Sequence, residues 1–499
     1  MFVLRRIYDT AVATPDKPAL VYNNQATSYA DLWRLVESCR RALAPHTRPG
    51  GVALVAVTNL LEGWILNLAL RSLGLDTAAI QSAGQVELFA DQTVACVVTL
   101  ESDPRPGLVA PDGATHLTLA NVTRSMFGDE EPLPAFPDMG PAGGHYLLTS
   151  GTTGRPKPIQ SRAGDTDEAF GAIMKLTAAL ADSFAENGDS TTCLFDLGLW
   201  TVAGYLRPIM TWSRGGAVVL DQRGGHHLAL EWPGITHIVV TPYYLGRVMA
   251  APEGAFAYRP QARLIVSAGA LTSAMAHEAQ RRLTPRIVVN VGSTEVGMWA
   301  RSIIETDDDL LWHQIAPGRI VQVVDEAGEP LPPGRLGEVR VALQEKGRAS
   351  HLGDAASTAK VFDNGWFRPG DLGVFDDRGR ISLRGRAADV INVNGLKVPT
   401  DPWERSLQET LSCDGVCVLS GRFRGDVEQL HVFIESSTPI SRSALIEAVR
   451  TTLYGFPDAQ VHKIDAMPRT PLGKIRRIDL AQQLQDGAFQ AGPEAQAAG

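Results

Sequence analysis

The sequence predicts an α/β protein with a large N-terminal domain of parallel sheets plus a small β-barrel, followed by a small α+β C-terminal domain. The chain has 499 residues, more than the roughly 250–300 residues that a single core usually serves. Short β-rich runs alternate with helix-length segments over most of the chain, which is typical of βαβ units and a parallel sheet. From about Pro317 the runs shorten and Asp, Gly and Pro turns separate them. After Arg384 a separate mixture of strand and helix begins.

The N-terminal region predicts alternating helices and strands. Ser28 is placed as the N-cap of a helix that continues to Leu43. Val52–Val57 and Val94–Thr99 are apolar runs of strand length. Between them, Glu62–Leu73 carries large apolar residues at helical spacing. This order predicts the first parallel sheet.

The central region continues the same rhythm with four short β-rich runs: Ala217–Leu220, Ile235–Thr241, Leu264–Ser267 and Ile287–Val291. Ala169–Ala181, before them, has helical periodicity. In open parallel sheets, ligands bind beyond the carboxyl ends of the strands. Polar clusters follow three of these runs: Thr241–Tyr243, Ser267–Ala270 and Gly292–Glu295. We therefore expect a binding site at that edge.

The C-terminal region predicts smaller units. The barrel strands are Ile320–Val324, Glu338–Ala342, Gly373–Phe375 and Ile381–Leu383. A hairpin over 389–398 has Asn394-Gly395 at its tip, a strong turn pair. His431–Ile434 predicts a strand and Ala444–Leu453 a helix. The segment Gln482–Gly499 is rich in Gln, Ala and Gly and is expected to be disordered.

Composition excludes several classes of protein. The net charge of −9 disfavours a general nucleic-acid binder. No run of 18 apolar residues occurs, and the N-terminus lacks the apolar core of a signal peptide. Five cysteines, mostly inside apolar runs, fit a reducing compartment, so we expect a cytoplasmic protein without a membrane span. Cys413 and Cys417 have no second pair or histidine cluster beside them, and no metal site is expected there.

The segment Tyr146–Pro158, YLLTSGTTGRPKP, predicts a phosphate-binding loop. Its glycines allow backbone N–H groups to converge into an anion-binding nest, while hydroxyls and a lysine add donors. The spacing is not that of a Walker A loop, and a flexible Ser/Thr/Gly linker is the alternative. The candidate phosphate ligands are Thr149, Ser150, Gly151, Thr152, Thr153, Gly154 and Lys157. The expected guest is a nucleotide triphosphate.

This segment resembles the signature TSGTTGxPKG of the adenylate-forming (AMP-binding) superfamily, of the acyl/aryl-CoA synthetase type, with Pro158 in place of the last glycine. Further segments match the family in the same order as far as Arg477. The resemblance implies an ATP- and acid-binding domain over 1–384, a hinge over 385–390, and a mobile lid domain over 391–481. The remaining tail is 482–499.

The resemblance also implies nucleotide contacts in the large domain. The segment Ser267–Ala270 is similar to the loop that supports adenine, with Gly269 and Ala270 as contacts. In the following motif Thr294 would lie near the α-phosphate and Glu295 would serve Mg²⁺. The motif also includes Val291, Gly292 and Ser293, and Val291 replaces the usual aromatic residue.

The remaining motifs lie near the hinge and in the lid. By the resemblance, Asp371 accepts from both ribose hydroxyls and Arg386 contacts ribose or phosphate. Lys474 matches the catalytic lysine. The chain departs from the family at Ala388, where the hinge usually has Asp or Lys, and at Pro402, where a glutamate usually follows the hairpin.

The predicted acid pocket contains large side chains that favour an apolar or aromatic acyl group. The candidates are Asp196, Trp200, Tyr243, Met298 and Trp299. Asp196 resembles the aspartate that binds the α-ammonium in amino-acid adenylation domains, but a similar pattern occurs in acetyl-CoA-synthetase-like enzymes. A buried aspartate needs a partner, either a substrate amine or a protein donor.

The resemblance implies an ATP-dependent ligase that forms an acyl-adenylate, releases pyrophosphate and transfers the acyl group to CoA. ATP, Mg²⁺ and CoA are the implied cofactors, and a small carboxylic acid is the substrate. The alternative enzyme is a stand-alone amino-acid or aryl-acid adenylation enzyme that serves a carrier protein or an amine. A third hypothesis, from the departures in the motifs, is a homologue that binds nucleotide without turnover.

Overall fold

The computed structural model describes residues 2–120, 122, 132–148, 157–161, 190–195, 197–343, 358–359, 361–393, 396–422, 428–453, 459–486 and 488–489. Several predictions lie outside these residues. They are the phosphate-loop positions 149–154, the helix at 169–181, Asp196, the hairpin tip at 394–395 and the tail beyond 489.

The described chain alternates between helices and strands. Its helices are α1 (Phe2–Ala13), α2 (Tyr29–Leu43), α3 (Leu60–Ser72), α4 (Val202–Trp212), α5 (Pro242–Met249), α6 (Ser273–Arg282), α7 (Asp401–Leu411), α8 (Arg442–Thr452) and α9 (Arg477–Gln485). The strands of the first half are β1 (Pro18–Tyr22), β2 (Gln25–Ser28), β3 (Val52–Val55), β4 (Asp76–Ala79), β5 (Val94–Leu100), β6 (Thr115–Leu119), β7 (His145–Leu148), β8 (Pro158–Ser161), β9 (Thr191–Leu194), β10 (Ala217–Leu220) and β11 (His237–Val240). Those of the second half are β12 (Arg263–Ser267), β13 (Arg286–Ser293), β14 (Gly297–Ile304), β15 (Gln314–Ile315), β16 (Val321–Val324), β17 (Gly337–Ala342), β18 (Phe362–Asp363), β19 (Trp366–Phe367), β20 (Asp371–Phe375), β21 (Ile381–Arg386), β22 (Val390–Val393), β23 (Leu396–Pro399), β24 (Gly415–Arg422), β25 (Glu428–Glu435) and β26 (Gln460–Ile464).

Two large sheets form the N-terminal domain. One has the order β15-β14-β13-β12-β11-β9-β10-β1-β2, parallel from β13 to β1 with antiparallel edge strands. The other has the order β6-β5-β3-β4-β7-β8 and is parallel except for the β7–β8 pair. The apolar runs that predict buried strands are buried here, as in β10 and β11.

Helix α3 packs inside the main core. It is apolar around most of its circumference, as expected of a helix covered on all sides. Trp64 stacks on Tyr205 with 5.8 Å between ring centroids and meets Trp212 edge-on at 4.9 Å. The predicted cap of α2 is confirmed, because Ser28 Oγ accepts from the Asp31 amide at 3.1 Å.

The second half forms smaller sheets. The predicted barrel is a six-stranded antiparallel sheet in which β17 pairs with β16, β19 and β20. Its core includes Trp299, Val339 and Ile381. Beyond it lie the β22–β23 hairpin and the sheet β24-β25-β26 with helices α7, α8 and α9.

Three details correct or complete the sequence analysis. Helix α1 was not predicted, and α9 continues to Gln485, so the expected disorder is wrong for the first residues of the tail. All five cysteines are free and buried, as small apolar residues would be. Within the described part of the chain, no helix has the length and apolarity needed to cross a bilayer.

Candidate active site

Asp371 and Arg386 are brought together by strand register. Asp371 opens β20 and lies opposite Arg386, the last residue of β21. Arg386 Nε lies 2.9 Å from Asp371 Oδ1, and Arg386 Nη1 donates to Pro369 O at 2.6 Å. A bulge after Asp371 interrupts the pairing before Gly373, and such bulges redirect side chains. The predicted carboxylate and cation therefore form one fixed pair.

Lys474 lies on a compact loop of the C-terminal domain. The Thr470 amide donates to Lys474 O at 2.8 Å, and the Gly473 amide donates to Thr470 O at 2.8 Å. The Lys474 amide in turn donates to Thr470 Oγ1 at 3.2 Å. Arg469 Nη1 donates to Gly473 O at 2.8 Å. We call Arg469–Lys474 the lysine loop; its own hydrogen bonds fix the backbone of Lys474.

The lysine loop and the strand pair meet at one site. Burial lowers the pKa of Lys474, and the Arg386 charge lowers it further, while the carboxylates of Asp371 and Glu295 oppose the shift. Burial raises the pKa of Asp371 against the opposing charges of Arg386 and Lys474. Lys474 thus lies within electrostatic range of the Asp371–Arg386 pair and of Glu295. Such clusters of perturbed groups are typical of functional sites.

Thr294 and Glu295 lie in the turn of the β13–β14 hairpin. The sequence predicts that this strand ends at Val291, but it continues to Ser293 and pairs antiparallel with β14. A β-carbon on Gly292 would lie 2.7 Å from Gly297 O, so only glycine fits the bulge at that point. The hairpin projects the Thr294–Glu295 turn beyond the sheet.

The predicted adenine loop follows β12 and contacts the start of α5. Ala268 has φ of +69°, a left-handed conformation that is uncommon for a residue with a side chain. A β-carbon on Gly269 would lie 3.2 Å from Pro242 Cγ. Gly269 and Ala270 are exposed, which leaves this face of the turn open.

The structure places the residues of the predicted acid pocket in different surroundings. Trp299 is only 1% exposed and packs in the core of the six-stranded sheet, and it is the extra residue at the bulge between β13 and β14. Tyr243 lies under the lysine loop, where a β-carbon on Gly473 would overlap it. The Trp200 ring folds back over Gly198 and packs against two of the hydrophobic clusters of the N-terminal domain. Met298 remains partly exposed beside Gly292.

The structure describes only the two ends of the predicted phosphate-binding loop. The Leu148 amide, at the end of β7, donates to Trp200 O at 3.0 Å. Lys157, partly buried, directly precedes β8. The predicted ligands between them, and Asp196, lie outside the described residues.

The residue chemistry fits Mg²⁺ held mainly by substrate oxygens. Among the described residues, no group of three or more His, Cys, Asp or Glu could hold a metal ion. Mg²⁺ in nucleotide sites is typically bound by one or two carboxylates, phosphate oxygens and water. Glu295, the predicted ligand, is a single carboxylate of this kind.

The sequence analysis missed the contacts that hold the lysine loop against the large domain. Tyr244 Oη donates to Pro471 O at 2.8 Å across 227 positions of sequence. Arg469 lies 4.9 Å from the centroid of the Tyr243 ring. Neither contact has a local sequence signal.

Comparison with known proteins identifies the family. The model of the family described as AMP-binding enzyme matches residues 7–344. A 4-coumarate–CoA ligase-like protein of Oryza sativa subsp. japonica is 26% identical over 480 residues, which cover 87% of this chain and 78% of that protein.

Two solved structures share the fold. The amide bond synthetase McbA from Marinactinospora thermotolerans has a TM-score of 0.74 at 20% identity, covering 96% of this chain and 98% of that one. The o-succinylbenzoate CoA synthetase MenE from Bacillus subtilis, in complex with ATP and magnesium, has a TM-score of 0.74 at 20% identity, covering 96% and 99%. The chain therefore belongs to the AMP-binding enzyme family, within the adenylate-forming superfamily of acyl- and aryl-CoA ligases.

Proposed function

We propose that this protein uses ATP to convert a carboxylic acid to an acyl-adenylate and then transfers the acyl group to CoA. The observation that carries the proposal is the convergence of Lys474 with Asp371, Arg386 and Glu295. These are the residue types that a reaction between two anions needs. They come together only because the C-terminal domain is folded against the large one.

Each residue has a role that its chemistry allows. The Asp371 carboxylate offers two acceptor oxygens to the two ribose hydroxyls. Arg386, oriented by Asp371 and Pro369 O, contacts ribose or phosphate. Gly269 and Ala270 leave open surface for the adenine ring. Thr294 donates to the α-phosphate, and Glu295 holds Mg²⁺ together with phosphate oxygens.

The proposed first step is an in-line displacement at the α-phosphorus. A carboxylate oxygen of the acid forms the new bond, and the bond to the bridging oxygen of the β-phosphate breaks. Pyrophosphate leaves with that electron pair. The main obstacle is the repulsion between two anions in a site of reduced dielectric. Lys474 offsets it between the carboxylate and the α-phosphate, and Lys157 offsets charge on the leaving group.

The acceptor has two candidates. The similarity to a 4-coumarate–CoA ligase-like protein supports CoA. The shared fold with an amide bond synthetase, together with Ala388 in the hinge and Pro402 after the hairpin, supports an amine or carrier-protein acceptor instead. Pro402 is the second residue of α7, in the first turn, where a proline is tolerated, and Ala388 lies in a short 3₁₀ turn. Neither residue supplies the polar group that the family usually has there.

The test is pyrophosphate release from Mg-ATP with a panel of aliphatic, aromatic and amino acids, each with and without CoA and with and without a simple amine. Turnover that requires CoA, with an acyl-CoA product, supports the proposal. Turnover indifferent to CoA but dependent on an amine supports the alternative. ATP binding without pyrophosphate release for any acid would reject both and leave a nucleotide-binding protein.

A further inference from the structure

We infer that Tyr243 and Tyr244 form a platform on the large domain that docks the lysine loop, and that both are positioning residues for Lys474. The inference deepens the proposed function, because it concerns how the proposed catalytic lysine is held. Its first test does not require catalytic turnover, so the inference and the proposed function can be rejected independently of each other.

Three contacts join the platform to the lysine loop. Tyr244 Oη donates to the backbone oxygen of Pro471 at 2.8 Å. The guanidinium of Arg469 lies 4.9 Å from the Tyr243 ring centroid, within the range of a cation–π interaction. Gly473 rests directly on the Tyr243 side chain. Pro471, Gly473 and Arg469 all belong to the short segment that ends at Lys474.

Gly473 makes the close approach possible. Its φ of +79° is a conformation that favours glycine. A β-carbon at this position would overlap Cβ and the ring of Tyr243. Leu472, beside it, packs against the main core of the N-terminal domain. The loop therefore fits the platform by shape as well as by polar contacts.

The platform is held from within the large domain. Arg247 Nη1 donates to Tyr243 Oη at 3.2 Å, and the Arg247 guanidinium lies 5.6 Å from the Tyr243 ring centroid. His226 packs against Tyr244 with 5.5 Å between ring centroids. The two tyrosine rings meet edge-on at 5.2 Å. None of these supports comes from the C-terminal domain, so they do not depend on the docked loop.

The loop is held from within the C-terminal domain. Arg469 pairs with Glu435 of β25 while it donates to Gly473 O. The same side chain therefore fixes the loop and faces the Tyr243 ring. Because one hydrogen bond, one cation–π contact and local packing join two preformed surfaces, the docking is weak enough to be reversible. Such contacts shift the population of the docked state rather than the fold.

The first test measures how often Lys474 leaves the site. An amine-reactive acetylating reagent is applied to the full-length protein without ligand, and acetylation of each lysine is followed by mass spectrometry. Tyr244→Phe removes only the hydroxyl, and Tyr243→Ala removes the ring. Loss of one such contact predicts about three- to tenfold faster acetylation of Lys474.

Three controls make this result specific. Tyr22→Phe removes a hydroxyl that donates to Gln222 at 2.9 Å within the large domain, and leaves the Lys474 rate unchanged. Tyr243→Phe keeps the ring and stays within about twofold of wild type, since it loses one hydrogen bond to Arg247 and no contact to the loop. Exposed Lys463 of β26 reacts equally in every variant. Equal Lys474 rates in wild type, Tyr244→Phe and Tyr243→Ala would overturn the inference.

The second test separates positioning from general stability. Tyr244→Phe lowers the rate of pyrophosphate release by the factor found in the acetylation test. It leaves transfer from a supplied acyl-adenylate unchanged, because that step does not need Lys474 at the α-phosphate. An equal fall in both steps, or a lower melting temperature that accounts for the loss, would show a structural role and reject the inference.

Discussion

The fixed and the docked parts of the site are held in different ways. Asp371 and Arg386 face each other because β20 and β21 are paired through their backbones. Lys474 reaches the same site through a few side-chain contacts between domains. The strand pair is set once by folding, whereas we infer that the lysine can leave the site and return.

This difference suits the proposed chemistry. Groups that bind ribose and phosphate gain from a rigid frame, since preorganised groups lose less entropy on binding. A lysine that must be present for one step and absent for the next gains from a weak interface. We therefore expect substitutions in the strand pair to act on nucleotide binding and those in the lysine loop to act on the rate of adenylation.

The largest effect is expected for Lys474→Met. Loss of one charge-stabilising donor predicts a fall of about 100- to 1000-fold in pyrophosphate release. The affinity for Mg-ATP, measured by calorimetry, stays within a few-fold, because the strand pair is intact. Lys463→Met, an exposed lysine of the same domain, serves as the control. A rate within threefold of wild type would contradict the role given to Lys474.

The next effect is expected for Asp371→Asn. Hydrogen bonds to a charged group contribute about 1.5–3 kcal/mol, which predicts a roughly 10- to 150-fold fall in kcat/KM for ATP. Wild type is expected to discriminate against 2′-deoxy-ATP, and the variant to lose most of that discrimination. The measurement is kcat/KM for both nucleotides with both proteins. If the variant discriminates as strongly as wild type, Asp371 does not contact the ribose.

Gly473→Ala tests the contact between the lysine loop and the large domain. The added methyl group strains a left-handed residue and overlaps Tyr243, and overpacking typically costs about 1–3 kcal/mol. We expect pyrophosphate release to fall about tenfold more than in Gly379→Ala. Gly379 has nearly the same φ, +74°, but no atom lies within 4 Å of its β-carbon position. Equal losses of rate in the two variants would mean that backbone strain at the substituted glycine, and not the contact with Tyr243, causes the loss.

The smallest effect concerns the stability of the large domain alone. Burial lowers the pKa of His145, at the start of β7, to about 3, from 6.5 in an unfolded chain. Below pH 6.5 the unfolded chain binds a proton that the folded protein does not, so acid destabilises the protein. The free energy of unfolding falls by up to about 1.4 kcal/mol per pH unit from this group, through the window from pH 6.5 towards 3.

His145→Gln removes that contribution. Urea unfolding at pH 7 and pH 5 should show a shallower pH dependence in the variant, together with lower stability at pH 7 because of lost hydrogen bonds to Thr77 and Leu199 O. Exposed His46→Gln is the control. An unchanged pH dependence in His145→Gln would show that His145 does not set it.

Much of the fold and part of the site follow from local sequence. Ala217–Leu220 is recognised as a strand at its observed bounds, because a short run of β-branched and apolar residues between turn signals specifies a buried strand. Asp371, Arg386, Glu295 and Lys474 are recognised through motifs. The structure then brings these four together.

Other parts do not follow from local sequence. Trp299 has the size and sequence position of a pocket residue, but it is the extra residue at the β13–β14 bulge and packs in the core of the six-stranded sheet. Val291 is predicted as the end of a strand, but the strand continues to Ser293 because it pairs with β14. In each case the deciding contact comes from a residue that periodicity does not identify.

The sequence by itself determined the α/β class, the phosphate-loop and hinge motifs, and the identity of the charged residues, because propensity, periodicity and motif spacing are local properties. Only the tertiary structure decided that Tyr243 contacts the lysine loop. It also decided that Tyr244 meets Pro471 across 227 positions. The physical reason is that docking depends on the shapes of two separately folded surfaces, and neither surface exists until its own domain has packed.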